Sequence, residues 1–218
     1  HLGDIKRGLP LCSESVYRKV ARLLSGSTSP VFIIPGDNEW NDCFSPDQAW
    51  KHWDNYFMKF ERHWPHGFSV TRQKVREENF AFVRNDVLFI GLNIVGGRVH
   101  DRQEWKLRHA SGVDWVKESL RQAGQGIRSL VVFGHARPAK IHDDFFDPFS
   151  TVAEEFARPV LYLHGDGHKW VYDRPFRAKN ILRVEVDQGG IAPPLKVSVT
   201  HDSATPFRFD RRNGKPAS

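Results

Sequence analysis

The sequence predicts an α/β fold in which outer helices cover two β-sheets, within a single domain over residues 1–218. Three observations support this fold class. Short apolar runs of strand length alternate with amphipathic, helix-like segments over most of the chain. The C-terminal part carries strand patterns with no helix pattern between them. The length of 218 residues suits one large domain, and no long Ser/Gly-rich linker divides the chain.

Helix patterns occupy four segments: Ser13–Ser25, Asp47–Trp64, Val113–Ala123 and Phe149–Ala157. In the first segment, Ser13 precedes apolar residues at helical spacing and is placed to cap the helix. In the second, Asp47 is the predicted cap and Pro65 follows the predicted end. This second helix carries an aromatic face that we interpret as core, consisting of Trp50, Trp53, Phe57, Phe60 and Trp64.

Strand patterns are short, apolar and often β-branched, which is typical of buried strands. They cover Pro30–Ile34, Asn79–Val83, Val87–Ile94, Ser129–Phe133, Pro159–Leu163, Ile181–Val186, Leu195–Thr200 and Phe207–Phe209. Between the second and third of these, Arg84-Asn85-Asp86 has the composition of a turn and predicts a hairpin.

Composition excludes several classes of protein. No stretch approaches 18 uncharged apolar residues, so no membrane span is predicted. With 39% hydrophobic and 12% aromatic residues, the chain is too apolar for disorder. The net charge is +6, but the basic residues are scattered, which favours a solvated surface and leaves nucleic-acid binding as the less favoured interpretation.

The chain has two cysteines, Cys12 and Cys43, too few for a disulfide-dense scaffold or a Cys-rich zinc site. Both follow loops that are expected to leave the same sheet edge, so their sulfurs could bridge. A bridge would indicate an oxidising compartment, periplasmic or extracellular, whereas two free thiols would indicate a cytoplasmic protein. The chain begins at His1 without a signal peptide, and we expect a processed or cut N-terminus.

Four loops share one arrangement, in which Asp or His stands beside glycine directly after an apolar run. They read Gly3-Asp4, Gly36-Asp37-Asn38-Glu39, Gly134-His135 and Gly165-Asp166-Gly167-His168. In α/β folds, functional loops collect at the carboxyl ends of strands, so we expect these four loops to meet. Carboxylate and imidazole ligands suit Mn²⁺, Fe, Zn²⁺ or Mg²⁺. A bridging carboxylate would hold two such ions together over a phosphate.

This order of motifs resembles the calcineurin-like metallophosphoesterases, whose signature runs Gly-Asp, Gly-Asn-His-Asp/Glu, His and Gly-His-x-His. The resemblance covers residues 1 to about 172, in a branch with Gly-Asp-Asn-Glu as its second motif. It implies a sandwich of two mixed β-sheets flanked by helices, two divalent metal ions and hydrolysis of phosphoesters. The family's first motif, Asp-x-His, has no counterpart in this sequence, so we expect the first strand to be lacking.

The resemblance implies metal ligands at Asp4, Asp37, His135, Asp166 and His168. Asp4 matches the bridging carboxylate, and His168 matches a ligand of the first metal. The other three match the second metal, where the carboxylates favour Mn²⁺ or Mg²⁺ over a His-rich zinc site. Without Asp-x-His, the first ion is expected to bind weakly or to be lost. His164 is an alternative ligand, because it precedes Asp166 by two residues on the same side of a strand.

The resemblance also implies catalytic roles for Asn38, Asp37 and His135. Asn38 replaces the family's histidine; it can donate a hydrogen bond to a phosphate oxygen but cannot serve as a general acid. Lys6, Arg7 and Arg137 are candidate substrate-binding residues. Glu39 either holds a ligand in orientation or is solvated. We interpret His142, Asp143 and Asp144 as part of a loop near the cleft.

The sequence therefore predicts a metal-dependent phosphoester hydrolase acting on a small-molecule phosphate monoester or diester. The alternative is a catalytically degenerate or truncated metallophosphoesterase-fold domain that serves as a binding module. The missing Asp-x-His motif and the substitutions at Asn38 and Asp166 favour that alternative. The oligomeric state is left open.

Overall fold

The computed structural model describes residues 1–8 and 11–212. These residues form a mixed seven-stranded sheet, a two-stranded sheet and flanking helices, which confirms the α/β class. The helices are α1 (Glu14–Ser25), α2 (Pro46–Phe57), α3 (Arg102–Ala123) and α4 (Asp143–Phe156). The strands are β1 (Val70–Arg72), β2 (Phe80–Arg84), β3 (Val87–Gly91), β4 (Ser129–Phe133), β5 (Val160–His164), β6 (Val171–Asp173), β7 (Ile181–Glu185), β8 (Lys196–Val199) and β9 (Phe207–Asp210).

The large sheet has the strand order β1-β2-β3-β4-β5-β7-β6. Strands β3, β4, β5 and β7 are parallel neighbours in its centre, and antiparallel strands border them on both sides. The central strands are continuous apolar runs because both of their faces are covered. Their carboxyl ends lie along one edge, which is the edge where the sequence predicts a site.

The two faces of this sheet support separate cores. On one face, residues such as Leu130 and Tyr162 pack against α3 and α4. On the other, Val131 and Leu161 pack against the β8–β9 hairpin, whose Phe207 is buried there. The second layer is thus an antiparallel strand pair and differs from the predicted mixed sheet, because β8 and β9 pair with each other.

Helices α1 and α2 enclose a third core around the extended segment 31–34. Tyr17, Ile33, Trp53, Phe57 and Phe60 are buried there, and Trp50 and Trp64 pack against them, which confirms the aromatic face as core. The prediction of a strand over residues 30–34 is wrong. This segment runs extended, but the strand-like hydrogen bonds described for it are two bonds with His1. The amide of Ile34 donates to the carbonyl of His1, and the amino group of His1 donates to the carbonyl of Phe32.

Several helix boundaries differ from the predicted ones. Helix α2 ends at Phe57 instead of Trp64, because Met58 is extended and Lys59 is left-handed (φ 57°) before a short 3₁₀ turn. Helix α3 begins well before Val113, since the Asp101 carboxylate caps it at the amides of Gln103 and Glu104. Helix α4 begins at Asp143, and strands β1 and β6 were not predicted.

The β2–β3 hairpin is confirmed: Asn85 and Asp86 both adopt positive φ at a two-residue turn between antiparallel strands. The described residues include no helix that is both long and apolar enough to cross a membrane.

Candidate metal centre

The loops that follow the central strands stay in register beyond the strand ends. The amide of Leu92 donates to the carbonyl of Phe133, and the amide of Gly134 donates to that of Leu163. His135 donates its amide to the carbonyl of Ile94 at 3.0 Å. The chain therefore delivers His135 and the 165–168 loop to the same edge, beside the segment that leaves β3.

Asp4, Asp37 and His135 meet at this edge. Each offers one ligand atom, and these atoms lie within 4.8 Å of one another. The His135 Nε2 lies 3.4 Å from Asp4 Oδ1 and 3.5 Å from Asp37 Oδ1. Asp37 and His135 are buried, and Asp4 is half-buried. Two carboxylates and an imidazole at this spacing suit a divalent cation.

The orientation of the His135 ring fits a metal ligand. Its Nδ1 lies 2.6 Å from the carbonyl oxygen of Leu2; because a carbonyl can only accept, Nδ1 carries the proton. Nε2 then faces the carboxylates, and this buried atom has no hydrogen-bond partner among the described residues. Burial alone would lower the pKa of His135, but the neighbouring Asp37 and Asp4 raise it to about 10. The surroundings thus favour a positive charge here.

The two oxygens of the Asp4 carboxylate face different partners. Oδ1 faces His135, whereas Oδ2 accepts from His168 Nε2 at 3.3 Å and from Asn38 Nδ2 at 2.8 Å. Burial raises the pKa of Asp4, the neighbouring His135 opposes this shift, and Asp37 adds to it. A carboxylate with one oxygen toward each of two histidines has the orientation that a bridging ligand needs.

Asp166 borders Asp37 across Gly96, in the segment after β3. A β-carbon on Gly96 would lie 3.0 Å from Asp37 Oδ2 and 3.3 Å from Asp166 Oδ2. Asp4, Asp166 and His168 all have positive φ, of 56°, 70° and 58°, although none is a glycine. Strained backbone conformations of this kind cluster at functional sites. The sequence pattern did not indicate Gly96, because this glycine, unlike those of the other loops, has no polar residue beside it.

Glu39 holds the two acidic loops together and is not solvated. It is fully buried, and its Oε1 accepts from the amide of Gly36 at 2.7 Å and from that of Asp4 at 3.1 Å. Burial, and then the charge of Asp4, raise the pKa of Glu39 to about 7. The loops themselves pack backbone to backbone, since a β-carbon on Gly3 would overlap Gly36. This contact explains why glycine precedes both acidic ligands.

The three candidate substrate-binding cations differ in their surroundings. Lys6 Nζ donates to the carbonyl of Asn38 at 2.8 Å and ties the first loop to the second. Arg7 is exposed. Arg137 is also exposed, and its Nε lies 3.9 Å from Asp166 Oδ2, at the rim of the site.

The candidates His164 and His142 are not part of the Asp4–Asp37–His135 group. His164 is fully buried, with Nδ1 2.9 Å from the carbonyl of Gly165 and Nε2 3.9 Å from Glu185 Oε2, and burial lowers its pKa to about 3. The prediction that His142 lies in a loop near the cleft is wrong. His142 is buried under α3 with its Nδ1 3.2 Å from His109 Nε2, and Asp143 begins α4.

Cys12 and Cys43 form a disulfide and are not free thiols. Their Cα atoms are 5.9 Å apart. The bond joins the chain that follows the Asp4 loop to the chain that follows the Asp37 loop. The disulfide therefore links the same two parts of the chain that Glu39 and Lys6 hold together.

Comparisons with protein-family models, with curated proteins and with solved structures gave no significant match to this chain.

Proposed function

We propose that the protein is a metal-dependent phosphoester hydrolase with a centre for two divalent ions, which would act on a small-molecule phosphate monoester or diester. The proposal rests on the Asp4 carboxylate, which directs one oxygen toward His135 and the other toward His168. Asp37, His135 and Asp166 would hold one ion together with Asp4. His168 and Asp4 would hold the other. The share of carboxylates favours Mn²⁺ or Mg²⁺.

Bound divalent ions would supply Lewis-acid activation of the phosphoryl group and of water. The chain would contribute orientation and charge. The Leu2 carbonyl fixes the His135 ring by accepting from Nδ1, a contact that typically makes an imidazole a better ligand. The Asn38 amide reaches Asp4 Oδ2 and can donate instead to a phosphate oxygen. The exposed Arg137 guanidinium can pair with a phosphate at the rim.

The first measurement is metal content and hydrolysis. After dialysis against Mn²⁺, we expect one or two ions per chain by metal mass spectrometry. We also expect Mn²⁺-dependent hydrolysis of bis-(p-nitrophenyl) phosphate or p-nitrophenyl phosphate. Asp37→Ala and His135→Ala remove ligands, so each should lower kcat/KM by at least about 100-fold, an effect within the range of transition-state charge stabilisation.

Matched controls come from exposed residues of the same types. Asp114→Ala and His201→Ala remove one aspartate and one histidine far along the chain from the site loops, and both should retain wild-type rates. Hydrolysis that survives Asp37→Ala and His135→Ala would contradict the proposed centre.

The second candidate is a binding module of the same fold. The observation that favours it is Asn38, whose amide is engaged with Asp4 and which, by the resemblance, replaces the histidine that would serve as general acid. A module should bind Mn²⁺ without hydrolysing either phosphate ester. Nucleic-acid binding would instead appear as affinity that falls steeply with salt.

We also propose an oxidising location, periplasmic or extracellular. The Cys12–Cys43 disulfide favours such a compartment, because thiols in the cytoplasm are kept reduced.

A further inference from the structure

Arg108 of α3 is a buried cation outside the metal centre. Its side chain is 1% exposed. Glu104, one turn earlier, accepts from Nε at 3.2 Å and from Nη2 at 3.1 Å, while Nη1 has no partner among the described residues. Burying a guanidinium is costly, and a buried ion pair often stabilises a protein no better than an apolar residue of the same size. Stability alone therefore gives a poor account of this arginine.

The guanidinium lies against two indole rings. Its Cζ is 4.8 Å from the ring centroid of Trp40 and 4.7 Å from that of Trp105. Arginine over tryptophan is the strongest common cation–π pair, and the planar guanidinium fixes the ring orientation as well as its distance. Trp105 belongs to α3, as Arg108 does. The contact with Trp40 is therefore the one that reaches another part of the fold.

Trp40 belongs to the helical turn Asp37–Asn41, which carries the metal-ligand candidate Asp37. Its ring also contacts Trp50 of α2, with centroids 4.7 Å apart. The next residue, Asn41, donates to the carbonyl of Gly96 at 3.0 Å. The Asp37–Asn41 turn thus contacts α2, the 96–98 segment and the guanidinium of Arg108.

We infer that Arg108 is a positioning residue, which fixes the Asp37 turn through Trp40 so that Asp37 faces Asp4 and His135. This inference rests on the proposed metal centre. Glu104 keeps the guanidinium in place, and Arg76 in turn holds Glu104, with Nη2 3.0 Å from Oε1. Residues that orient metal ligands from outside typically change metal affinity by about 10- to 100-fold when they are replaced.

The test is the Kd for Mn²⁺, measured by titration calorimetry on the full chain at a temperature where each variant is folded. Arg108→Met keeps the length of the side chain and removes the planar cation, and it should raise the Kd at least about tenfold. Arg121→Met is the matched control, because Arg121 lies on the same helix and pairs with Glu118 at 2.7 Å, but is exposed. Its Kd should stay within about twofold of wild type, well below the effect of an orienting residue.

Thermal denaturation in parallel separates positioning from a structural role. A merely structural arginine would change the Tm and leave the Kd of the folded protein unchanged, which would overturn the inference. If Arg108→Met does not fold, substitutions of Trp40, the other partner in the contact, test the inference instead. Trp40 is only half-buried, so Trp40→Phe and Trp40→Leu are expected to fold.

Trp40→Phe keeps an aromatic face and should retain most of the affinity, whereas Trp40→Leu should lose it to the same extent as Arg108→Met. Equal affinities in the two variants would overturn the inference. A wild-type protein that binds no Mn²⁺ would give a different result: it would overturn the proposed function itself, and the inference with it.

Discussion

Gly96 has no side chain, and this allows Asp37 and Asp166 to approach the same point. A methyl group there would press on both carboxylates, at 3.0 Å and 3.3 Å. Metal ligands must be held within about 0.5 Å of their working positions. We therefore predict that Gly96→Ala weakens Mn²⁺ binding about tenfold or more, a loss typical of displaced ligand geometry. Titration calorimetry of the folded variant measures it.

Gly126→Ala is the control for this substitution. A β-carbon on Gly126 would have no heavy atom within 4 Å outside its immediate chain neighbours, so an added methyl group meets open space. This variant should bind Mn²⁺ as the wild type does. If Gly96→Ala binds Mn²⁺ equally well, Asp37 and Asp166 do not act on one ion.

Single residues differ in how far the sequence can reveal them. Asp4, Asp37 and His135 could be predicted because each stands beside glycine where a strand pattern ends, and the structure brings them together. Gly96 and Arg108 could not. Their importance lies in what approaches them from distant parts of the chain, and neither belongs to a local pattern that indicates such an approach.

One covalent bond also restrains the two loops that carry the ligands Asp4 and Asp37. The Cys12–Cys43 disulfide closes a loop with a sequence separation of 31. A closure of this length is expected to stabilise the fold by roughly 3–4 kcal/mol. Reduction by a dithiol, or Cys12→Ser with Cys43→Ser, should lower the Tm by several degrees and weaken Mn²⁺ binding, because the Asp4 loop gains freedom. Thermal scans and calorimetry with and without the reductant measure both effects.

The double serine variant also serves as the control for the reductant. Added dithiol should lower the Tm of the wild type and leave that of the double variant unchanged. A wild type whose Tm and Mn²⁺ affinity both ignore the reductant would show that the bond does not restrain these loops.

Among the helices and strands, the central strands were predictable and the start of α3 was not. Strands such as β4 and β5 are uninterrupted apolar runs, because the sheet is covered on both faces. Helix α3 instead buries Arg108 and His109 ahead of Val113. These polar residues interrupt the apolar periodicity on which the prediction depended, so the sequence pattern began only at Val113.

At the level of the whole molecule, burial leaves three histidines neutral. His109 of α3 packs against His142, and His164 is buried at the end of β5. Burial, and for the first two the charge of Arg108, lower their pKa values to about 4, about 3 and about 3. Each should bind a proton in the unfolded chain near pH 6.5 but not in the folded one. Glu39 and His135 act in the opposite direction: burial raises the pKa of Glu39 to about 7, and the neighbouring carboxylates, against the effect of burial, raise that of His135 to about 10.

These histidines predict that the folded state loses stability as the pH falls below about 6.5, since the unfolded chain then binds more protons. Each contributes up to about 1.4 kcal/mol per pH unit, down to its own lowered pKa. The three neutral histidines together outweigh Glu39 and His135, so the free energy of unfolding should be smaller at pH 5 than at pH 7. His142→Gln removes one titrating group. It should therefore reduce the slope of the unfolding free energy against pH by up to about 1.4 kcal/mol per pH unit, which corresponds to one bound proton. Urea denaturation of both proteins at the two pH values measures it, and an unchanged slope in the variant would show that His142 is already protonated in the folded protein.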